Sequence, residues 1–457
     1  MARKEKILIV GAGLCGSLLA IRMAQRGYEV EVHERLPDMR KIPLAGGRSI
    51  NLALSDRGLK AIKSAGFKEE ILEECIGMEG RMIHGIDGEE RFSKYSGREG
   101  EKINSVSRTG LNITLLDKAD EFDNVTIHFN SKCVNIDLDN ATGSFINFKG
   151  KKIQVKATIV LGTDGAGSVV RKSMMSRTPE LLFNYSQNFL RSGYKELEIP
   201  ATDTGGYRLD KNALHIWPRG KFMMIALPNL DGSFTVTMFH PYEGESGFNT
   251  LNTEEKVLGF FKKYYPDSLK HFPNLTEEYF NNPVGMLGTI KCYPWQAFGK
   301  TLIMGDAAHA IVPFYGQGMN ASFEDVRIFD EMVEKHNGNW EALFKEFQEE
   351  RVNNTNAIAD LAVDNFYEMQ DKVADEVFIR KRKIEMQLEQ TYPDYYSKYS
   401  LVTFQENLSY REAMIRGRKQ DELLLKICSD SDWEKISLDS IYQKLKKVNY
   451  SDILKYG

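Results

Sequence analysis

The chain lacks an excess of either charge. Its 457 residues carry 60 Lys and Arg against 64 Asp and Glu, a net charge of −4. No basic surplus therefore argues for nucleic acid, and the clusters Arg380–Lys383 and Lys444–Lys447 read as solvated helix faces. Cysteine is scarce. The five (Cys15, Cys75, Cys133, Cys292, Cys428) are scattered, odd in number and without metal-ligand spacing. They read as free thiols in a reducing, cytoplasmic compartment. The eight histidines form no H-E-x-x-H or related pattern, so no metal is expected. Beyond the first strand region no segment approaches the ~18 apolar residues of a membrane span, and no repeat or low-complexity tract is visible. A soluble protein without a membrane anchor is expected; nothing in the sequence speaks to oligomeric state. With 42% hydrophobic and 27% charged residues the composition is ordinary and globular, and the length suggests about three structural units.

What is present begins at the N-terminus. Lys6–Val10 is a buried-strand run, followed at once by Gly11-Ala-Gly13-Leu-Cys-Gly16. Ser17–Arg26 reads as a helix that Gly27 ends, and Tyr28–Glu34 alternates as a second strand closing on an acid. Strand, G-x-G-x-x-G, helix, strand and an acid about 20 residues on make the full dinucleotide fingerprint. Gly11 makes the turn, Gly13 admits the pyrophosphate, and Gly16 lets helix and sheet approach. Glu34 suits an unphosphorylated adenosine ribose, hence FAD or NAD. The same stretch has the look of a signal peptide, which the glycine spacing argues against.

Ala45–Leu54 reads as a Gly-Gly loop entering a strand, and Asp56–Ala65 as a helix. From Gly80 a strand excursion leaves the nucleotide domain, and Val106–Asp117 returns with Arg108 at a helix head. Val125–Phe129, Cys133–Leu138, Ser144–Phe148 and Lys152–Val155 read as a β-meander. Thr158–Leu161 then enters Gly162-Thr-Asp164-Gly165-Ala-Gly167. No second strand–helix–acid unit follows this loop, so it fits a lid over the first dinucleotide. Residues 183–290 read as an antiparallel sheet with one apolar face free to wall a pocket. Ser322–Tyr392 is helical in pattern, with Asn365, Glu368 and Met369 on one face. Residues 395–457 read as a polar helical tail.

One stretch organises the rest. Thr301–Met304 is a short strand ending in Gly305-Asp306, where a carboxylate meets a polyol hydroxyl beyond the strand C-terminus. Pro313 stiffens the next loop, Gly316-Gln317-Gly318 admits a flat ligand, and a helix from Met319 points its free N–H groups at negative charge.

Three marks now stand together: Gly11–Gly16 with Glu34, Gly162-Thr-Asp-Gly165, and Gly305-Asp306 with Pro313. They resemble the marks of single-component flavoprotein aromatic hydroxylases and span residues 6–320. Finer matches at Gly47–Leu54, Gly80–Met82, Asn212–Pro218, Ile225–Leu230, Ser233–Thr237, Val312–Asn320 and Tyr399–Phe404 are similar to members acting on an aromatic amino acid, L-kynurenine. The resemblance implies non-covalent FAD, with NADPH and O₂ as co-substrates, and ring hydroxylation through a flavin C4a-hydroperoxide. It implies an α/β fold: a Rossmann-like FAD-binding domain interleaved with an antiparallel-sheet substrate domain, plus a C-terminal helical region. The expected limits are 1–79, 106–182 and 291–392 for the FAD-binding parts, 80–105 and 183–290 for the substrate sheet, and 393–457 for the tail.

The same resemblance implies that Arg81, Tyr95, Asn365 and Tyr399 hold the substrate's amino-acid end. Leu214, Ile225, Leu227, Phe239, Phe314 and Gln317 surround its ring and carbonyl, with Phe314 and Gln317 orienting it and no side chain acting as acid or base. Gly11, Gly13, Leu14, Gly16, Glu34, Arg35, Ala53, Arg108, Asp164, Asp306, Gly318, Met319 and Asn320 contact FAD. Eukaryotic members carry a hydrophobic C-terminal anchor that this sequence lacks. Two rivals share the architecture. A flavin-dependent halogenase needs Trp-x-Trp-x-Ile-Pro, whereas Trp217, Trp295, Trp340 and Trp433 lie far apart. A non-catalytic escort-type protein needs no intact flavin loops, and all three are intact here.

Overall fold

The structure is a computed structural model that describes residues 5–42, 51–369 and 375–448. Of the Ala45–Leu54 stretch, only the strand Asn51–Leu54 falls within them.

The run Lys6–Val10 is apolar at four consecutive positions because it is covered on both faces, as parallel strands in α/β proteins are. It sits inside a six-stranded sheet ordered Gln296–Ala297, Thr301–Ile303, Ile159–Gly162, Lys6–Val10, Glu29–His33, Val125–His128. All pairings are parallel except that of the two-residue edge strand Gln296–Ala297. The helices Leu14–Gln25, Arg108–Asp120 and Gly318–His336 share one core with this sheet. The strand C-termini put Gly11, Thr163 and Gly305 side by side.

A seven-stranded sheet stands beside it, ordered Gly285–Tyr293, Asn184–Ile199, Phe234–Pro241, Met223–Pro228, Ala213–Pro218, Gly80–His84, Glu90–Lys94. The excursion at Gly80 is thus part of the same sheet as residues 183–290, joined by parallel pairing of Gly80–His84 with Ala213–Pro218. Its other pairings are antiparallel. Alternation divides its residues cleanly. Trp217, Met224, Ala226, Phe234, Val236 and Met238 face an outer core. Met223, Ile225, Leu227, Thr235, Thr237 and Phe239, on paired positions of opposite parity, face inward.

Four expectations change. Val125–His128 does not belong to a meander: helix Arg108–Asp120 carries it back parallel to Glu29–His33 as a right-sized βαβ return. The antiparallel sheet there has three strands, Ser131–Asp137, Thr142–Asn147 and Lys152–Lys156. The region read as strands alone also contains the helices Glu254–Tyr264, Pro266–Leu269 and Leu275–Asn281. Val257, Phe260 and Phe261 recur at helical spacing and cover the outer face of the sheet. The sheet does not end at residue 290: Gly285–Tyr293 is a nine-residue strand that carries it further. The tail is not merely polar: Lys398–Thr403, Tyr410–Cys428 and Leu438–Lys446 pack through Leu401, Val402, Tyr410, Ala413, Leu424 and Ile427.

Candidate active site

The three fingerprint glycines hold three different positions. Gly11 has φ +99°, and a Cβ there would stand 2.8 Å from the Thr163 carbonyl oxygen. A Cβ on Gly16 would collide with the Gly11 carbonyl oxygen and sit 2.6 Å from Thr163 Oγ1. Gly13 meets nothing within 4 Å. The first and third glycines therefore close protein against protein, while the second opens onto space. Helix Leu14–Gln25 begins there without a side-chain cap or an acid in its first turn. The helix at Arg108 differs: the Ser107 side chain accepts from Gly110 N–H. An uncapped N-terminus beside an open glycine fits a pyrophosphate. Leu14 is half-buried at the same mouth.

Glu34 follows strand Glu29–His33. Its carboxylate accepts from Ala12 N–H at 2.9 Å and Leu36 N–H at 2.8 Å, so it is fixed at the edge of the same cradle. Arg35 beside it is exposed. Asp164 turns inward: it accepts from Ser168 Oγ at 2.5 Å and from Val169 N–H at 2.6 Å, and burial pushes its carboxyl up. Its part is to shape the loop that abuts Gly11. Arg171, on the short helix Val169–Met175 that follows, donates to the Ala307 carbonyl at 2.6 Å and ties this loop to the Gly305–Asp306 turn.

Asp306 is exposed and has no hydrogen-bond or ion-pair partner among the described residues. Gly305, at φ +60°, makes the turn that presents it. Beyond it Pro313–Tyr315 forms one short 3-10 turn, Gly316 takes φ +66°, and the helix begins at Gly318, one residue earlier than its pattern suggests. That helix also starts without a side-chain cap. Gly318 and Met319 remain half-buried at its mouth. Asn320 is turned to protein: its amide donates to the Ala53 and Gly316 carbonyls, both at 2.8 Å, and accepts from Ser55 N–H at 2.9 Å. It staples the Ala53 strand to the loop. Arg108 lies exposed across from Glu196 of the larger sheet. Burial pushes the Glu196 carboxyl up to about 7, and the Arg108 charge offsets part of that.

The inner face of the larger sheet gathers the residues expected around a substrate. Leu214 is the register partner of Arg81. Leu214, Ile225 and Tyr399 are half-buried and border two adjoining apolar clusters. One holds Phe239 and Phe314; the other holds Tyr95 and Leu227. Phe239 and Phe314 rings lie 4.8 Å apart, and Phe314 meets Phe366 at 4.4 Å. The Arg81 guanidinium lies 4.6 Å from the Tyr399 ring and 5.5 Å from the Tyr95 ring, and these two rings are stacked. Burial pushes the Tyr95 phenol up, against the pull of Arg81. Among the described residues Arg81 has no acidic partner, and its buried Nε has no acceptor.

Two expected contacts are engaged with protein. Asn365 donates its amide to the Phe314 carbonyl at 2.6 Å. Gln317 Oε1 accepts from the Tyr410 hydroxyl at 2.9 Å. Both therefore hold the Pro313–Gln317 loop.

Sequence reasoning missed a buried charge network behind that loop. Arg57 donates to Glu324 at 3.1 Å and to the carbonyls of Val402 at 2.8 Å and Leu408 at 2.5 Å, with its guanidinium 4.1 Å from the Tyr410 ring. Arg351 bridges Glu324 at 2.6 Å and Asp325 at 2.7 Å. Asp325 accepts from Gly305 N–H at 2.9 Å and meets His309 Nε2 at 2.5 Å. Burial alone would raise the Asp325 carboxyl, but His309 and Arg351 hold it below its ordinary range. The partners are far apart in sequence, so no local pattern announces them. Tyr315, stacked on Tyr399 at 5.4 Å, and Thr237, on the inner face beside Ile225, were also missed; alternation in Ser233–Phe239 marks the latter.

An FAD binding domain family matches residues 4–210 and 289–362, leaving out most of the larger sheet's own hairpins. A kynurenine 3-monooxygenase of Flavobacterium psychrophilum is 44% identical over 440 residues, 95% of this chain and 97% of the relative. One of Dictyostelium discoideum is 43% identical over 459 residues, covering 97% and 98%. Among solved structures, p-nitrophenol 4-monooxygenase of Pseudomonas putida superposes with TM-score 0.69 at 17% identity, over 90% of this chain and 99% of that one. A 2-methyl-3-hydroxypyridine-5-carboxylic acid oxygenase gives 0.66 at 18%, over 86% and 99%. These two likenesses concern the fold.

Proposed function

This chain belongs to the kynurenine 3-monooxygenase family, and from that premise we propose that it hydroxylates L-kynurenine to 3-hydroxy-L-kynurenine, consuming NADPH and O₂ with non-covalently bound FAD. The residues present fit the cofactor: open space at Gly13, an uncapped helix end on each side, and the exposed Asp306 carboxylate, without a partner among the described residues, are what a dinucleotide with a polyol arm requires. When bound, FAD supplies the two-electron redox chemistry and the oxygen activation. Gly11–Gly16, Glu34 and the Gly318 helix end would hold it, with Asp306 on its polyol and Arg108 alongside.

The protein's own part is binding, orientation and dryness. Kynurenine's carboxylate suits a guanidinium fork, and the observation that carries the reading is Arg81: set against the Tyr95 and Tyr399 rings, without an acidic partner among the described residues, its buried Nε unsatisfied. Leu214, Ile225, Leu227, Phe239 and Phe314 then take the ring. An aniline ring is activated at its ortho carbon by its own nitrogen lone pair, so this wall of Leu, Ile and Phe needs no base to deprotonate it. Asn365 and Gln317 act through the loop they brace. This loop and the helix end after it would support negative charge that develops on the bound cofactor. The five free thiols support a reducing, cytoplasmic setting.

The test is to mix the purified protein with NADPH and, separately, kynurenine and related aromatic acids. The expected result is a yellow protein whose NADPH use rises with kynurenine, with a product one oxygen heavier. NADPH consumption indifferent to kynurenine, with no heavier product, overturns the reading.

A further inference from the structure

Three potential metal ligands converge at one edge of the six-stranded sheet. Glu31 and His33 are two residues apart on strand Glu29–His33 and so share a face. His128 is the register partner of His33 on the edge strand Val125–His128. His33 Nε2 lies 2.9 Å from Glu31 Oε1, and His128 Nε2 lies 3.4 Å from the same oxygen. One donor atom from each residue falls within 4.8 Å of the others. Tetrahedral ligands about 2.0–2.1 Å from a zinc ion stand roughly 3.3 Å from one another, close to the two Glu31 separations.

The surroundings fit such a set. Lys6 pairs with the other carboxylate oxygen, Oε2, and leaves Oε1 to the imidazoles. His33 Nδ1 meets Ser131 Oγ at 2.7 Å, the kind of outer contact that fixes a ligating ring. The His33 ring is stacked on Phe145 at 3.9 Å, which holds its plane. His128 is 45% exposed and gives an entry path. Two imidazoles and one carboxylate, with a fourth position open to water, suit zinc-class divalent ions rather than magnesium. No linear motif announces this set, because two ligands share one strand and the third lies on its neighbour.

We propose that Glu31, His33 and His128 form a binding site for one divalent transition-metal ion of the zinc class. The ion would cross-link two strand ends that also serve the cofactor cradle. Gly11 N–H donates to the His33 carbonyl at 2.9 Å, and Glu34 N–H donates to the His128 carbonyl at 2.9 Å. Zinc binding therefore stiffens the ground on which Glu34 stands, and it raises thermal stability by mass action.

Chelator-stripped, FAD-loaded protein titrated calorimetrically with Zn²⁺, and separately with Mg²⁺, tests this. One saturable Zn²⁺ site with an accompanying rise in Tm, and no Mg²⁺ site, is expected. His128→Ala, at an exposed position, and Glu31→Gln should each weaken Zn²⁺ binding by more than about tenfold. Absence of saturable Zn²⁺ binding overturns the proposal. So does Zn²⁺ binding of undiminished affinity in both variants, which would assign the ion elsewhere, as to the thiols.

Discussion

Two arginines, Arg57 buried and Arg81 half-buried, differ in what completes them. Each places its guanidinium against a tyrosine ring, Arg57 over Tyr410 at 4.1 Å and Arg81 over Tyr399 at 4.6 Å. Arg57 is closed: Glu324 neutralises it and main-chain carbonyls of the C-terminal region take its remaining donors. Arg81 is open, with no acidic partner among the described residues and an unsatisfied Nε. A buried charge completed by protein belongs to the fold, because leaving it unpaired is costly. Arg81 is half-buried, and on the proposed function the substrate carboxylate would complete it. Two aspartates divide in the same way: Asp325, on helix Gly318–His336, is paired on both oxygens, whereas Asp306 stands exposed with no partner among the described residues.

The largest effect should come from breaking the closed member. Arg57→Met leaves Glu324 buried with half its charge unmet and should destabilise the protein by about 3–5 kcal/mol, read as a fall in Tm. An unchanged Tm would mean the network does not hold the C-terminal helices to the flavin side. Arg81→Met should instead leave Tm nearly unchanged and weaken substrate binding by about 2–5 kcal/mol.

Asp306→Ala should spare folding and lower FAD affinity by roughly 1.5–3 kcal/mol, the loss of a charge-assisted hydrogen bond. Flavin content after dialysis reads it, and full occupancy would remove Asp306 from the cofactor. The smallest effect near neutrality is the acid response of the closed network. Glu324 and Asp325 are held below their ordinary values of 4.5 and 3.8. Their contribution is therefore complete above those values and is lost as pH falls through the depressed folded ones. Tm measured from pH 6 to pH 3 should drop steeply only at the acid end, and the Arg57→Met protein should begin its decline at higher pH.

Legibility in the sequence followed distance along the chain. The fingerprint Gly11–Gly16 was readable because strand, turn and helix are consecutive, and the structure gives Gly11 a positive-φ turn, Gly16 a close approach and Gly13 open space. Helix Asp56–Ala65 was readable to the residue. The parallel return of Val125–His128 was not, since a short alternating strand looks the same in a meander or a βαβ unit. The sequence singled out Asn365 and Asn320 but not the partners the structure gives them. An amide has donor and acceptor ends, and only tertiary packing decided that they face the Phe314, Ala53 and Gly316 carbonyls. Arg57 was invisible. Glu324 lies 267 residues away and the Val402 carbonyl 345, and a lone Arg in a helix reads as solvated.

The difference between the open and closed arginines is tested most directly by titrating kynurenine into wild-type and Arg81→Met proteins of equal FAD content, following the flavin spectrum, with Tm recorded on the same samples. The account predicts a Kd raised by roughly thirtyfold or more in Arg81→Met, with flavin content and Tm close to wild type. Wild-type affinity in Arg81→Met, or a collapse of Tm like that expected of Arg57→Met, would contradict it.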